Sequence, residues 1–550
     1  MADGADVISL GRGRRFLAIS SIVGLASAYT LLRSRWPEIF TFASNPSESL
    51  LARLVTSPWH LADDVMVTVR AGEVLLTSGI PSFNQSDTAQ ASTSYLAPYL
   101  FAALRLILPF NAAVAMYAFL GFMAVIGTFL ILALRAKSLV NAALLVAALT
   151  ITQTNLEFAL TGWDHLFQAF FITWAAVLAL DPTDERGRLV VISLLTAAGT
   201  LFRFDGIVIA VGLLLITLLQ HRRAWRRAIA PLLVPFAVVV GGFLATNVIQ
   251  FSNLTPTTTR LKAGAAPSFR YMWDYVYSNS VISFSALSLV FILTVVILLA
   301  RRTLPRTPTL IVLLVTWVTV LAAVFNSDFF PAARMFWLPA TVLSALLAVG
   351  LPAVFRVGSA FRVSEDGSIQ TRWSRRTENL VVGTSLGGLI VCGSVIGLES
   401  AVVSKEALPG SRTAQQFMAT QWIKSELDPA DGAIGVFYAG EAAHLSNFEA
   451  ADFLGKADEA VASLQPRWGP PGHNKWNIDQ SLQKWNPQVI LPTIDQDPRG
   501  SGSDALAREW KEKQWTHGYV ADLLTSQAIR DQYRYCRVPD PNGFIDETID

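Results

Sequence analysis

Five hundred and fifty residues that are 52% hydrophobic and 15% charged, with a mean hydropathy of +0.43, are too apolar for a string of soluble domains, in which about a quarter of residues carry charge. Only two cysteines occur, Cys392 in an apolar run and Cys536 near the end, which excludes a disulfide framework and a cysteine-based zinc site. The net charge of +2 conceals an asymmetry: residues 399–550 hold 14 basic and 22 acidic side chains, net −8, leaving +10 on the first 398, and no basic nucleic-acid surface is indicated.

In chain order, apolar runs that approach bilayer thickness fall at 16–32, 111–134, 138–154, 161–180, 189–202, 206–220, 228–250, 282–300, 309–325, 335–354 and 379–398, eleven in all. No convincing small-residue cleavage pattern accompanies the first run, and ten more follow it, so it reads as a span rather than a signal peptide. The run Tyr95–Phe110 contains Pro98, Arg105 and Pro109 and is ambiguous by itself. If it does not cross, the loops on one side carry nineteen Lys and Arg against five in the short loops opposite. That bias satisfies the positive-inside rule, and counting the run as a span would reverse it.

The segment is therefore expected to be interfacial or re-entrant. The N-terminus is then cytoplasmic, and residues 33–110 form a first outer loop. Residues 399–550, which contain six of the fifteen tryptophans, form an outer domain. In it a helix is expected over Thr413–Leu427 and strands over Ala433–Tyr438 and Gln488–Leu491, with breaks such as Trp468-Gly-Pro-Pro-Gly472. This is the pattern of a small α/β domain able to bury its own core. The expected fold is thus a polytopic α-helical membrane protein over 1–398 with a C-terminal extracytoplasmic α/β domain over 399–550.

The acidic residues of the membrane region collect at the outer ends of the spans: Asp63 and Asp64, Glu157 and Asp164, Asp205 beside Arg203, Asp274, and Asp328 with Arg334, joined by Lys262. Ionisable residues at membrane depth cost roughly 2.5 to 3.5 kcal/mol each and are kept where they line a functional cavity. A lone carboxylate at a helix end is more often a solvated cap, so the weight lies on the clustering. Asp63 and Asp64 are the sharpest local signal. Adjacent residues do not share a helix face, so the pair divides its work, or one member caps an amphipathic helix over Val65–Leu76. Two carboxylates facing one cavity would raise one pKa toward the range of a general base.

The first loop reads Ala62-Asp63-Asp64-Val65-Met66-Val67-Thr68-Val69-Arg70, then Gly79-Ile80-Pro81-Ser82-Phe83-Asn84, then Thr93-Ser94-Tyr95-Leu96. It resembles the aspartate-pair loop of GT-C glycosyltransferases, in particular the branch with the mycobacterial terminal arabinofuranosyltransferases. Five further segments are similar to that family's elements in the same order. They are Thr161-Gly162-Trp163-Asp164-His165-Leu166, with Asp for Glu; Leu201-Phe202-Arg203-Phe204-Asp205-Gly206, with Phe for Pro; Leu254–Lys262, without the family's Asn; Asn326–Arg334; and, in the tail, Asp452–Asp458. Gly472-His473-Asn474-Lys475-Trp476 resembles a second tail signature.

The resemblance implies transfer of a sugar from a polyprenyl phosphate to a hydroxyl of a cell-envelope glycan or glycolipid, with inversion, at the outer leaflet of a bacterial inner membrane. It suggests arabinofuranose as the sugar. Asp63 or Asp64 would be the base, with Asp63 preferred because it is expected to precede the helix. Lys262, Arg203 and Arg334, and more weakly Arg70, would bind the donor phosphate; an ion pair between Arg70 and the aspartates is the bland alternative. Asp164, Asp205 and Asp328 would bind sugar hydroxyls, orient those cations or help hold a divalent metal, for which no spacing supplies a ligand set. His473, Asn474, Lys475 and Trp476 would contact sugar or acceptor, or else pack on their own domain. Trp163 and Trp468 are weaker stacking candidates, while His444 and His517 read as surface or core histidines. A transporter or flippase of lipid-linked sugars is the alternative, although internal repeats and midplane charges are not evident.

Overall fold

The structure is a computed structural model that describes residues 12–34, 63–136, 142–143, 145–146, 149, 162–180, 185–262, 337–350, 412–437, 439–467, 472–491 and 518–533. The expected spans at 282–300, 309–325 and 379–398, most of 138–154, and the candidates Asp328 and Arg334 lie outside the described residues, as do Glu157, Asp274, Trp468 and His517.

The described part is mostly helical with one small parallel sheet. Its first helices are α1 (Arg12–Ser34), α2 (Asp63–Ser78), α3 (Ala97–Arg105) and α4 (Phe110–Arg135). They are followed by α5 (Asp164–Ala179), α6 (Arg186–Phe202), a 3-10 turn at Phe204–Gly206, α7 (Ile207–Gln220), α8 (Trp225–Phe251), α9 (Thr257–Lys262) and α10 (Trp337–Gly350). Two of these, α4 and α8, are long and apolar enough to cross a bilayer by length and composition. The nine residues of α3 reach only about 14 Å at ~1.5 Å per residue, less than half the roughly 30 Å of a hydrocarbon core.

One apolar core joins α1 to α7 and α10, with Phe101, Phe129, Trp163, Leu166, Phe202 and Trp337 among its buried residues. Small residues let the helices approach. A Cβ on Gly199 of α6 would meet the Ile172 side chain of α5 at 2.6 Å, so a larger residue there would have to displace that side chain. The outward faces carry exposed apolar side chains, including Val234, Val238 and Ile249 of α8 and Val211 and Leu215 of α7, a surface suited to lipid. Within α8 two prolines, Pro231 and Pro235, interrupt the backbone ladder, and the Phe236 N–H donates to Ser193 Oγ of α6 at 2.8 Å. A neighbouring hydroxyl thus satisfies a backbone group at a proline site.

In the tail, α11 (Arg412–Glu426), β1 (Ala433–Val436), α12 (Glu441–Ser446), β2 (Glu449–Asp452), α13 (Glu459–Ala462), α14 (Ile478–Trp485), β3 (Val489–Leu491), α15 (Gly518–Thr525) and α16 (Gln527–Gln532) follow in order. The sheet order is β2-β1-β3, all parallel, with Ile434 opposite Ala450 on one side and Val489 on the other. Strands β1 and β3 and helix α11 fall where the sequence pattern places them. β2 is additional: Glu-Ala-Ala-Asp has neither β-branched residues nor alternation, and it pairs because β1 and a side chain of the first loop flank it.

The buried apolar side chains of the tail fall into two cores. One tail core, built on Phe437, Phe453, Trp476 and Tyr519, is internal. The other, around Ile423, Ile434, Val436 and Phe448, is completed by Val67, Phe83 and Ala91 of the segment between the first and fourth helices. Helix α2 serves both regions, since Val65 and Val69 enter the main helical core while Val67 enters the shared one.

Candidate functional site

Asp164 opens α5 after Gly162, whose φ of +71° is a left-handed turn that favours glycine. A Cβ there would meet the Tyr117 ring at 2.8 Å. Four residues on, and so on the same helix face, Gln168 is buried at 2% exposure. Its amide donates to Arg203 O at 2.7 Å and to Asp205 Oδ1 at 2.9 Å. Helix α6 ends at Phe202, Arg203 turns extended, and the 3-10 turn carries Asp205. A Cβ on Gly206 would collide with the Gln168 amide, so glycine at this position makes room for the side chain that ties α5 to the turn.

The Arg203 guanidinium is buried between two carboxylates, Nη1 at 3.2 Å from Asp164 Oδ1 and Nη2 at 2.8 Å from Asp205 Oδ2. Asp164 also accepts from Thr93 Oγ1 at 2.9 Å, which brings in the first loop. Tyr95 and Leu96 N–H donate to Leu201 O at 3.0 and 3.1 Å, and Thr257 N–H donates to Gln90 O at 3.0 Å. Through that last bond α9 joins the assembly, and Lys262 at its end lies where its charge acts on Asp205. The tail closes the circle, because a Cβ on Gly472 would sit 3.6 Å from Lys262 Cε, and Lys475 Nζ donates to Arg260 O at 2.8 Å and to Ala462 O at 2.9 Å. Four separate stretches of membrane-region sequence and one tail loop therefore converge. At the centre the Arg203 guanidinium lies between two carboxylates, Asp164 and Asp205, with the Lys262 charge acting on Asp205.

Other sequence candidates end elsewhere. Arg70 is not placed to bind a donor phosphate, and the alternative of an ion pair with the aspartates does not describe it either. Its Nε donates to Phe83 O at 2.7 Å, Nη2 donates to Phe448 O at 2.6 Å and to Asn84 Oδ1 at 3.0 Å, and Nη1 donates to Ala443 O. The guanidinium also lies 4.6 Å from the centre of the Phe83 ring. Four of its five donor hydrogens thus tie the first loop to the tail. Burial pulls its pKa down to about 10, opposed by Glu449, so it remains charged at neutral pH. Beside it Asn84 completes the outer edge of β2, donating to Ala450 O at 2.9 Å and accepting from Ala450 N at 3.0 Å.

Trp476 is 6% exposed. Its Nε1 donates to Asp522 Oδ2 at 2.9 Å, and Arg467 stacks on its ring at 4.5 Å, so it anchors its own domain and does not present a face to a sugar. Asn474 pairs with the Arg467 backbone and Lys475 with backbone carbonyls; both shape the loop. His473, half-buried, remains beside them. Trp163 is fully buried against His165, and His444 packs on Phe110 with ring centres 5.3 Å apart. Asp63 and Asp64 form the first turn of α2, so Asp63 does not precede the helix, and the ground for preferring it over Asp64 falls away.

No protein-family model and no curated protein matches this chain. Among solved structures it is similar to ArnT from Cupriavidus metallidurans bound to undecaprenyl phosphate, at TM-score 0.49 and 13% identity over 78% of this chain and 85% of that one. It is also similar to the archaeal oligosaccharyltransferase AglB from Archaeoglobus fulgidus in complex with an inhibitory peptide and a dolichol-phosphate, at TM-score 0.48 and 11% identity over 80% of this chain. The chain spans 65% of AglB.

Among the described residues no three His, Cys, Asp or Glu side chains gather as a metal site would require. Sequence reasoning missed Gln168 and Gln90. The first was findable, because it lies one helical turn after Asp164; the second has no local signal, because its place is set by a contact with α9 across 167 residues of chain.

Proposed function

We propose that this chain is a membrane glycosyltransferase. It takes a sugar, arabinofuranose on the strength of the resemblance, from a polyprenyl phosphate and passes it to a hydroxyl of a cell-envelope glycan or glycolipid. The transfer takes place at the outer leaflet of a bacterial inner membrane, with about eleven spans and an extracytoplasmic tail domain. The observation that carries the reading is the convergence of Thr93, Asp164, Arg203, Asp205, Lys262 and the Gly472 loop on one cluster, since these are the segments that resemble GT-C elements in sequence. A structural ion pair alone does not require five such segments to meet.

In this reading the chemistry is a displacement at the anomeric carbon. Asp63 or Asp64 takes the proton of the acceptor hydroxyl as its oxygen attacks, and the lipid phosphate leaves with the bonding pair. The departing phosphate gathers negative charge, which fixed cations stabilise best where water is excluded. A guanidinium matches two phosphate oxygens, while lysine serves as a point charge. Asp164 and Asp205 hold the Arg203 fork in place before the donor arrives, so little reorganisation accompanies the reaction. Arg334 and Asp328 belong to the same proposal from sequence alone.

The test is sugar transfer by full-length protein in proteoliposomes, from a synthetic polyprenyl-phosphate arabinofuranose to an octyl arabinofuranoside. Asp63→Asn or Asp64→Asn should abolish turnover while folding and lipid binding persist, and Arg203→Ala should abolish turnover and weaken binding of the lipid phosphate. Full turnover in all three variants would overturn the transferase reading. Movement of the donor across the vesicle membrane without transfer would mark a flippase instead.

A further inference from the structure

Lys262 reaches the charged cluster at the end of the stretch that follows α8, and the tail grips that stretch at both ends. Glu459 is the first residue of α13. Its Oε1 accepts from Asn253 Nδ2 at 3.1 Å and also from Arg260 Nη2. One carboxylate oxygen thus bridges the residue two after the end of α8 and the residue two before Lys262. Lys475 ties the same helices together, since its Nζ donates to Arg260 O of α9 at 2.8 Å and to Ala462 O, at the last residue of α13, at 2.9 Å.

The platform behind Glu459 is fixed. Asp458, 1% exposed, caps α13 by accepting from the Ala460 and Val461 N–H groups at 2.9 and 3.3 Å. Its other oxygen accepts from Lys484 Nζ and Trp485 Nε1, both at 3.0 Å, and Lys484 also donates to Asp87 of the first loop at 2.6 Å. By contrast, the six residues of α9 are too few to hold a helix by themselves. A lysine, moreover, is a point charge on a flexible stem. Its ammonium keeps one place only if its helix, and the Gly472 loop beside its stem, are held from outside.

Stability does not account for the Glu459 contacts. The side chains of Arg260 and Glu459 are 28% and 35% exposed, and ion pairs so open to water add about 0–1 kcal/mol. The stretch is already tied on its helical side, where Asn247 Nδ2 donates to Asn253 O at 2.8 Å and the Tyr95 hydroxyl donates to Leu254 O at 2.6 Å. What Glu459 adds is the setting of the far end, at Arg260, from which Lys262 follows.

We propose that Glu459 is a positioning residue, which sets the place of Lys262 at the donor phosphate by acting through Arg260 and Asn253, with Lys475 as the second anchor. The tail is thereby a working part of the phosphate site. The proposal deepens the transferase reading and rests on it for the phosphate that Lys262 meets.

The test is calorimetric titration of full-length protein in detergent with farnesyl phosphate, a short prenyl phosphate, and with farnesol as the control that lacks the phosphate. Glu459→Ala should weaken farnesyl phosphate binding about tenfold, leave farnesol binding unchanged and keep the melting temperature within a few degrees. Glu459→Gln retains an oxygen that accepts from Asn253 and Arg260, and should restore most of the affinity. Lys262→Met should weaken phosphate binding by itself, and Glu459→Ala added to it should change little further, because residues that act through one another are not additive. Unchanged phosphate binding in Glu459→Ala or in Lys262→Met would overturn the proposal. So would a further tenfold loss in the double variant, or a loss of farnesol binding and melting temperature in step with the phosphate, which marks a purely structural contact. All of these leave sugar transfer by the native protein intact, whereas native protein that bound farnesyl phosphate no better than farnesol would overturn the transferase reading and this proposal together.

Discussion

Arg203 is held by Asp164 on one side and Asp205 on the other, and no other cation shape fits both carboxylates at once. Lysine at this position reaches one of them as a point charge. Arg203→Lys is therefore expected to cut sugar transfer by about ten- to a hundredfold, roughly 1.4 to 2.8 kcal/mol of transition-state stabilisation, with little change in the amount of folded protein; a transfer assay against melting temperature checks this. Gly162→Ala acts differently. Its φ of +71° and the Tyr117 ring, 2.8 Å from a new Cβ, should cost on the order of 1–3 kcal/mol in stability, visible as a lower melting temperature in detergent. The glycine and the aspartate were both legible as a motif. Gln168, which holds Arg203 and Asp205 from the next turn, was signalled only by its place one turn after Asp164, because a glutamine on a helix face is ordinary until its partner is known.

At the scale of elements, the seam between α2, the first loop and the tail sheet is polar at its centre. Arg70 satisfies three backbone carbonyls and Asn84 there, and Asn84 supplies the pairing that a further strand would give to the exposed edge of β2. Arg70→Met keeps much of the bulk and removes every donor, leaving buried carbonyls without partners. Each charged hydrogen bond is worth about 1.5–3 kcal/mol, so the expected loss is roughly 3 kcal/mol or more, read as faster proteolysis within residues 79–96. The sequence offered Arg70 a phosphate or an aspartate as partner, both of opposite charge. The structure gives it carbonyls, because residues up to 378 positions away come to lie around it. Spacing cannot show contacts of that range.

At the scale of the whole molecule, the docking of the tail on the helical region is expected to weaken in acid. His444 of α12 packs against Phe110 of α4, and burial, with Arg70 and Lys424 nearby, lowers its pKa from 6.5 to about 3. The unfolded or undocked chain therefore binds the proton more readily between those values. Stability is full above about pH 6.5 and falls as pH drops through the window, by roughly 2 kcal/mol at pH 5 from ~1.36 kcal/mol per unit. Thermal unfolding from pH 7.5 to 5 should show that slope in the native protein and a shallower one in His444→Gln.

Hydropathy by itself determined the placing of most described helices and singled out the polar residues at their ends, because burial in an apolar surrounding forces long apolar runs whatever the tertiary contacts. The motifs around Asp164, Arg203, Lys262 and Gly472 were likewise legible as separate pieces. Only the folded chain decided that these pieces meet, that Trp476 and Arg70 serve packing, that β2 exists and that the first loop completes a core of the tail. Each of those facts is a contact between residues far apart in sequence, and a contact of that kind depends on where helices and loops are carried by packing, which no local pattern of residue types encodes.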